Sequence, residues 1–424
     1  MDSTELFAVG VGGTTMNLSL EDKLRAAYSK DFKLLAIHMD LIYSCDLDCC
    51  HCYLDDKRTD ALSTEEILGV LAQARELGAL KLTLSGGELF LRKDLFEILE
   101  FARASRFYIK LKTHGGLLTE EAADKLATLG INRVDFSVYS LEEDVHDFIT
   151  RRTGSLERTM EGLERLVARG IPVRVNCSVM NLNTRSYKDL YRYFAERGID
   201  ASIDGSIRGT NGGGVETYVL GLTVEEKVEM ERFKREMLGT LPKPVTMDPE
   251  EHICWAGKTS AHIQPDGTVT PCVAWPMSLG SVRDQSLRSI WEEEETLKEI
   301  RDMRRKDLTG CSGCVLQTKC TFCPGKAYVE NEGAWKEPFS LQCQDTAART
   351  FGTLSYNASK VLGEDGENSK EAWTFKSSND NRHLNPIVEP IQWNEPQLPQ
   401  EKRRPRLRSL IQTQGIQLTR KNDR

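Results

Sequence analysis

The sequence predicts an α/β fold built on parallel strands, followed by a smaller cysteine-rich region. From Lys33 to about Gly205 one unit recurs: a short apolar strand, a loop, an amphipathic helix and a glycine. Six strand-like runs alternate with these helices, which implies βαβ crossovers. After Val245 the strands shorten, the helices thin out, and cysteines gather at positions 254, 272, 311, 314, 320, 323 and 343.

The strand-like runs are LLAIHMDLI, LKLTLS, FYIKLKT, RVDFSVYS, VRVNCSVM and DASID. Between the first two, ALSTEEILGVLAQARELG has the marks of a helix. Ser63 and Glu66 have capping-box spacing. Ile67, Val70, Leu71, Ala74 and Leu77 share one face, and Gly78 stands where the chain leaves the helix. Further helices end at Gly130, Gly170 and Gly198, and residues 222–239 form another. An open sheet and a partial barrel both fit this pattern. In either, chemistry gathers at the C-terminal strand ends. A domain boundary is expected near residue 245.

At 424 residues the chain exceeds one ordinary core. Apolar content of 39% and charged content of 28% are those of a soluble globular protein. No apolar run approaches the roughly 20 residues of a membrane span. MDSTELFAVGVGG lacks the basic and apolar regions of a secretory signal. A cytoplasmic, reducing setting is expected, where clustered thiols bind metals or react rather than pair. The net charge of −8 is uneven: residues 401–424 carry eight basic groups against Glu401 and Asp423. With the Pro- and Asn-rich stretch before it, this end reads as a solvated tail, and nucleic-acid binding is not expected.

SCDLDCCHCYLD, residues 44–55, packs four cysteines into eight positions. Cys49 and Cys52 can reach one metal from a single turn, and Cys45 adds a third thiolate. Three thiolates leave one coordination position open. Zinc would recruit Cys50 or His51 as a fourth ligand; a cubane iron–sulfur cluster would keep an iron free. Further on, AHIQPDGTVTPC reads as a hairpin turning at Asp266-Gly267 between Cys254 and Cys272. CSGCVLQTKCTFC then gives C-x2-C-x5-C-x2-C, followed by Cys343. A module holding two zinc ions is the alternative for this region.

The C-x3-C-x2-C run after the first strand, with SGGE (Ser85–Glu88) ending the second, resembles the radical S-adenosylmethionine (SAM) superfamily. Two glycines let backbone approach a ligand closely, and a carboxylate can hold a cationic amine. The resemblance implies a partial (β/α)6 barrel. It implies that Cys45, Cys49 and Cys52 ligate a [4Fe–4S] cluster whose open iron chelates SAM. It also implies that Gly86, Gly87 and Glu88 contact SAM. GGEL stands here where many members have GGEP. Ser137 resembles the family's polar SAM contact, and HDFITRRTGS suggests Arg151 for the SAM carboxylate and Ser155 for a helix cap. The later seven cysteines resemble the SPASM extension, which carries two auxiliary [4Fe–4S] clusters. Carried over, Cys311, Cys314, Cys320 and Cys343 hold the outer one, and Cys254, Cys272 and Cys323 the inner one, making three clusters. Cys320 and Cys323 have two residues between them (C-x2-C) where sulfatase-maturing members typically have three (C-x3-C). Cys50 and Cys177 remain over, as packing thiols.

The expected organisation is an N-terminal extension at 1–32, the radical SAM core at 33–245, the SPASM domain at 246–350 and a tail at 351–424. The resemblance implies an enzyme that forms a 5′-deoxyadenosyl radical and modifies a ribosomally made peptide or protein. Asn176 and Asp204, at the ends of strands five and six, are candidate catalytic residues. An electron donor such as flavodoxin or ferredoxin is expected as a partner. Too few residues precede the first strand for a leader-binding module, so a leader would need a separate protein, the core or the basic tail. The alternatives are a small-molecule enzyme such as a tetrapyrrole side-chain decarboxylase, which needs a compact basic pocket for propionates that the sequence does not show clearly, and an inactive electron-transfer or scaffold protein.

Overall fold

The computed structural model describes residues 20–57, 60–238, 248–311, 314, 316–317 and 320–350. The expected tail at 351–424 and most of the N-terminal extension lie outside these residues, as does the stretch around residue 245. Within the extension the structure adds a helix the sequence reading did not expect, Leu20–Ser29.

All six expected strands form: β1 (Ala36–Asp40), β2 (Lys81–Ser85), β3 (Tyr108–Thr113), β4 (Arg133–Ser137), β5 (Val173–Ser178) and β6 (Asp200–Asp204). They lie side by side in chain order, every pair parallel. Sequential order with right-handed crossovers puts the helices on one face. That face is apolar: Ile37, Met39, Leu82, Leu84, Ile109, Leu111, Val134 and Phe136 are all buried in one core with the helices. The alternate residues, such as His38, Asp40, Lys110, Lys112, Asp135 and Asn176, occupy the inner face. The outcome is the partial barrel, with the polar side inward.

Two further strands, β7 (Ser260–Ile263) and β8 (Val269–Thr270), come from the cysteine-rich region. β7 pairs parallel with β1, so the sheet runs on into that region. β8 returns antiparallel through the expected turn, where Gly267 has φ +91° and Thr268 N–H donates to Asp266 Oδ1. Hydrogen bonds from Leu35 N–H and Ala36 N–H to the Thr259 carbonyl fix the register.

Helix ends follow the sequence closely. Ser63 and Glu66 close a capping box, and the glycines at 78, 130, 170 and 198 all have positive φ. Ser155 departs from expectation. Gly154 is the residue before the helix Ser155–Val167, and Ser155 is buried as its first member, donating to Asp147 Oδ1 rather than capping. The run TGS fits a serine cap, but Gly154 alone accepts the φ of +69° needed there.

Candidate active site and metal centres

The loop after β1 carries Cys45, Cys49, Cys50 and Cys52. The thiols of Cys45, Cys50 and Cys52 act on Cys49, whose pKa is raised chiefly by burial and then by these neighbours. The loop is clamped to the end of the helix Glu143–Thr150: Asp48 N–H donates to the Thr150 carbonyl and Cys50 N–H to the Ile149 carbonyl. This anchoring turns Cys50 into a small apolar cluster with Tyr139, Ile149 and Met180. Cys177 is buried on the apolar face of β5. Leu47 N–H donates to Cys45 Sγ at 3.4 Å, a contact suited to a thiolate ligand.

SGGE has two separate functions in the fold. Gly87 N–H donates to the Ile42 carbonyl and Glu88 N–H to the Ser44 carbonyl. A Cβ at Gly86 would stand 2.1 Å from the Ile42 oxygen, and one at Gly87 2.2 Å from the Ser44 oxygen. The glycines are therefore required for strand-to-loop packing, whatever they contact in a ligand. Glu88 is fully buried: Thr113 Oγ1 donates to it at 2.7 Å, and His114 N–H and Phe90 N–H at 3.1 Å. Its carboxylate thus joins the end of β2 to the end of β3.

His114 and Asp46 complete this arrangement. Cys45 Sγ, Asp46 and His114 place ligand-type atoms within 4.8 Å of one another. Gly116 N–H donates to His114 Nδ1, which puts the proton of a neutral ring on Nε2, facing the carboxylates. The sequence reading missed both residues. Their signal was position, since His114 directly follows β3 and Asp46 lies in the cysteine loop after β1.

Ser137 ends β4 beside the Tyr139 hydroxyl, and Tyr139 in turn neighbours Cys49 and Cys52. Arg151, in the left-handed region at φ +56°, pairs with Asp48 at 3.0 Å, so it sits on the cysteine loop. Asn176 lies on the inner face at the level of Ser137 and Ser202. Asp204 is separate from this group: it is exposed on the last strand and accepts from Ser206 N–H.

In the second region Cys254, Cys272 and Cys323 come together. Burial pushes the Cys272 thiol up to about 12, with Cys254 and Cys323 adding to the effect. Cys311, Cys314, Cys320 and Cys343 line one cavity walled by Leu308, Phe322 and Phe339. Burial, then Cys320, Cys311 and Cys314, raise Cys343 to about 12. Crowded buried thiols of this kind are uncomfortable as a free set, and a cationic iron reverses the balance by favouring thiolates. N–H donation from Ala256 to Cys254 Sγ and hydroxyl donation from Thr346 to Cys320 Sγ support the same state. The donor sets fit two iron–sulfur clusters here and one in the barrel, and all twelve cysteines are free of disulfides.

Comparison with known proteins accounts for both halves. Residues 39–194 match the Radical SAM superfamily model, so this segment is a radical SAM domain. Residues 254–315 match the SPASM iron–sulfur cluster-binding domain, so the chain is a radical SAM protein with a SPASM extension. These domains imply iron–sulfur clusters and SAM as its cofactors. The AdoMet-dependent heme synthase of Methanosarcina barkeri is 26% identical over 322 residues, covering 69% of this chain and 92% of that protein. The solved structure of Streptococcus suis SuiB bound to S-adenosylmethionine superposes with a TM-score of 0.60 at 16% identity, covering 76% of this chain and 81% of that one. The structure of anSMEcpe with bound AdoMet and Cp18Cys peptide gives 0.58 at 16%, covering 78% and 98%. Among the described residues no helix is long and apolar enough to cross a membrane.

Proposed function

We propose that this radical SAM enzyme removes a carboxyl group from a propionate side chain of a tetrapyrrole. The observation that carries the reading is the half-buried Lys112 on the inner face of β3, which forms no ion pair within 4 Å among the described residues, its electrostatic neighbours being Asp135 and Asp40. The basic lining that the sequence did not show clearly thus comes from alternate residues of strands. The heme synthase relative points to the same substrate class. Cys45, Cys49 and Cys52 would hold the cluster that supplies the 5′-deoxyadenosyl radical. SAM, when bound, would supply the radical that takes a hydrogen atom from the side chain and leaves as 5′-deoxyadenosine. The substrate radical then loses CO2 and one electron and becomes a vinyl group, and the seven cysteines of the second region would hold clusters able to accept that electron. The chain's own residues bind the carboxylate, exclude water and hold the cysteine loop.

Reduced, reconstituted protein with SAM and a propionate-bearing porphyrin should form 5′-deoxyadenosine, CO2 and a vinyl porphyrin. Deoxyadenosine with an unchanged porphyrin would sink this reading. A second reading, modification of a peptide, is favoured by β6, whose outer edge pairs with no strand among the described residues and could accept an extended chain. A mass shift in a cognate peptide under the same conditions would establish it.

A further inference from the structure

We propose that Arg208 bridges the loop of the barrel cluster to the loop of the inner auxiliary cluster and is the route by which an electron passes between them. The inference rests on the cluster assignments and holds for either substrate. Cys52, a ligand in the barrel loop, is followed directly by Tyr53, and Cys272, a ligand of the inner set, by Val273. The Arg208 guanidinium lies 3.5 Å from the Tyr53 ring centroid, and its Nη1 donates to the Val273 carbonyl. One side chain therefore spans the gap, with its face on one loop and its edge on the other. A planar guanidinium makes both contacts at once; a lysine ammonium has no such plane.

The segment after β6 that carries Arg208 is held in place at both ends. Asn211 N–H donates to the Tyr53 carbonyl at 2.9 Å and Gly212 N–H to Asp55 Oδ2, so backbone also grips the barrel loop. Thr217 Oγ1 donates to the Arg208 carbonyl at 2.6 Å, and Thr210 N–H donates to the Gly214 carbonyl at 2.8 Å, closing the turn between them. Gly209 has no room for a side chain: a Cβ would stand 2.7 Å from the Gly214 oxygen and 3.2 Å from Val329. Val329 belongs to the helix Pro324–Glu330, which starts directly after Cys323, another ligand of the inner set. The segment thus touches the chain just past Cys52, the chain just past Cys272 and the helix that follows Cys323. From one ligand to the other the connection is covalent except for one stacking contact and one hydrogen bond. Electrons tunnel more readily through bonds and close contacts than through open space. In the step itself the reduced inner cluster loses one electron and the barrel cluster gains it, and no proton moves.

The test uses full-length protein reconstituted with iron and sulfide, reduced, freed of reductant and then given SAM alone. Because no substrate is present, the outcome leaves the tetrapyrrole reading untouched. Each cleavage of SAM consumes one electron from the barrel cluster. Wild type should continue past the first 5′-deoxyadenosine per chain while the EPR signal of the reduced inner cluster declines. Arg208→Met, Arg208→Lys and Tyr53→Leu should stop at the first with that signal persisting, and Tyr53→Phe, which keeps the ring, should match wild type. Iron content is the control for cluster loading. The route is overturned if Arg208→Met continues as wild type does, if wild type itself stops at the first, or if Tyr53→Phe stops as Tyr53→Leu does. If Arg208→Met loses iron, the two Tyr53 variants decide by the same readout, and iron loss in Tyr53→Leu as well overturns the route in favour of a structural role. If wild type cleaves no SAM without substrate, pulsed EPR between the two reduced clusters decides. A distance distribution broader in Arg208→Met than in wild type keeps the bridge; an equal one overturns it.

Discussion

His114 Nε2 lies 2.8 Å from Asp46 Oδ1 and 3.1 Å from Glu88 Oε2. One imidazole therefore joins the cysteine loop to the glutamate of SGGE. Replacing it with alanine leaves two carboxylates short of a donor, one of them fully buried. His114→Ala should cost about 1–3 kcal/mol in denaturant unfolding, with reduced iron retention in the barrel cluster. Unchanged stability and unchanged iron would remove this linking role.

The two glycines of SGGE are steric requirements. Gly87→Ala should prevent correct docking of the cysteine loop, with loss of the first cluster and a clearly lower melting temperature. Gly69 provides the contrast, since it is exposed in the helix Thr64–Glu76 and an added Cβ meets nothing within 4 Å. Gly69→Ala should stabilise by about 0.5–1 kcal/mol. Equal melting temperatures for the two variants would contradict the packing described here.

Iron analysis separates the thiols. Three cubanes give about twelve iron per chain, four from each. Cys50→Ala should keep all of it, because Cys50 packs against Ile149 and Tyr139. Cys49→Ala and Cys343→Ala should each lose about four. Loss of iron in Cys50→Ala would mean that the ligand register is displaced by one.

Lys258 makes stability depend on pH. It is buried with Nζ unpartnered, and burial followed by Arg304 holds its pKa down at about 7 from 10.5, opposed by Asp302. Between these values the unfolded chain binds a proton that the native chain does not, so stability should rise from pH 7 towards 10.5. Below pH 7 the penalty is fully present. Lys258→Met should flatten this slope and add about 1 kcal/mol near pH 7. A slope unaltered by Lys258→Met would assign the effect to other groups.

The strands, the capping box, the hairpin at Asp266-Gly267 and the grouping of the cysteines were legible because each depends on local pattern. Spacing set Cys50 apart from the other three cysteines of its loop, and the structure packs it against Tyr139, Ile149 and Met180. The partners of Glu88 were not legible, since Thr113 and His114 meet it only through parallel pairing of β2 and β3. Lys112 was hidden for a related reason: FYIKLKT reads as any amphipathic strand, and only the order of strands in the sheet shows that its polar side is the inner face of the partial barrel. Asp204 resembled Asn176 as a strand-end polar residue. Its place on the last strand, where exposure follows from having one neighbour, required the topology.

The pairing of β7 with β1 makes the cluster-bearing region a stave of the barrel rather than an appendage. Cutting the chain ahead of Ser260 would strip β1 of a neighbour and leave its amides and carbonyls as a sticky rim inviting aggregation. Anyone grafting this region onto another radical enzyme must therefore replace a strand, not merely attach a domain, and the recipient must surrender its own edge to receive it.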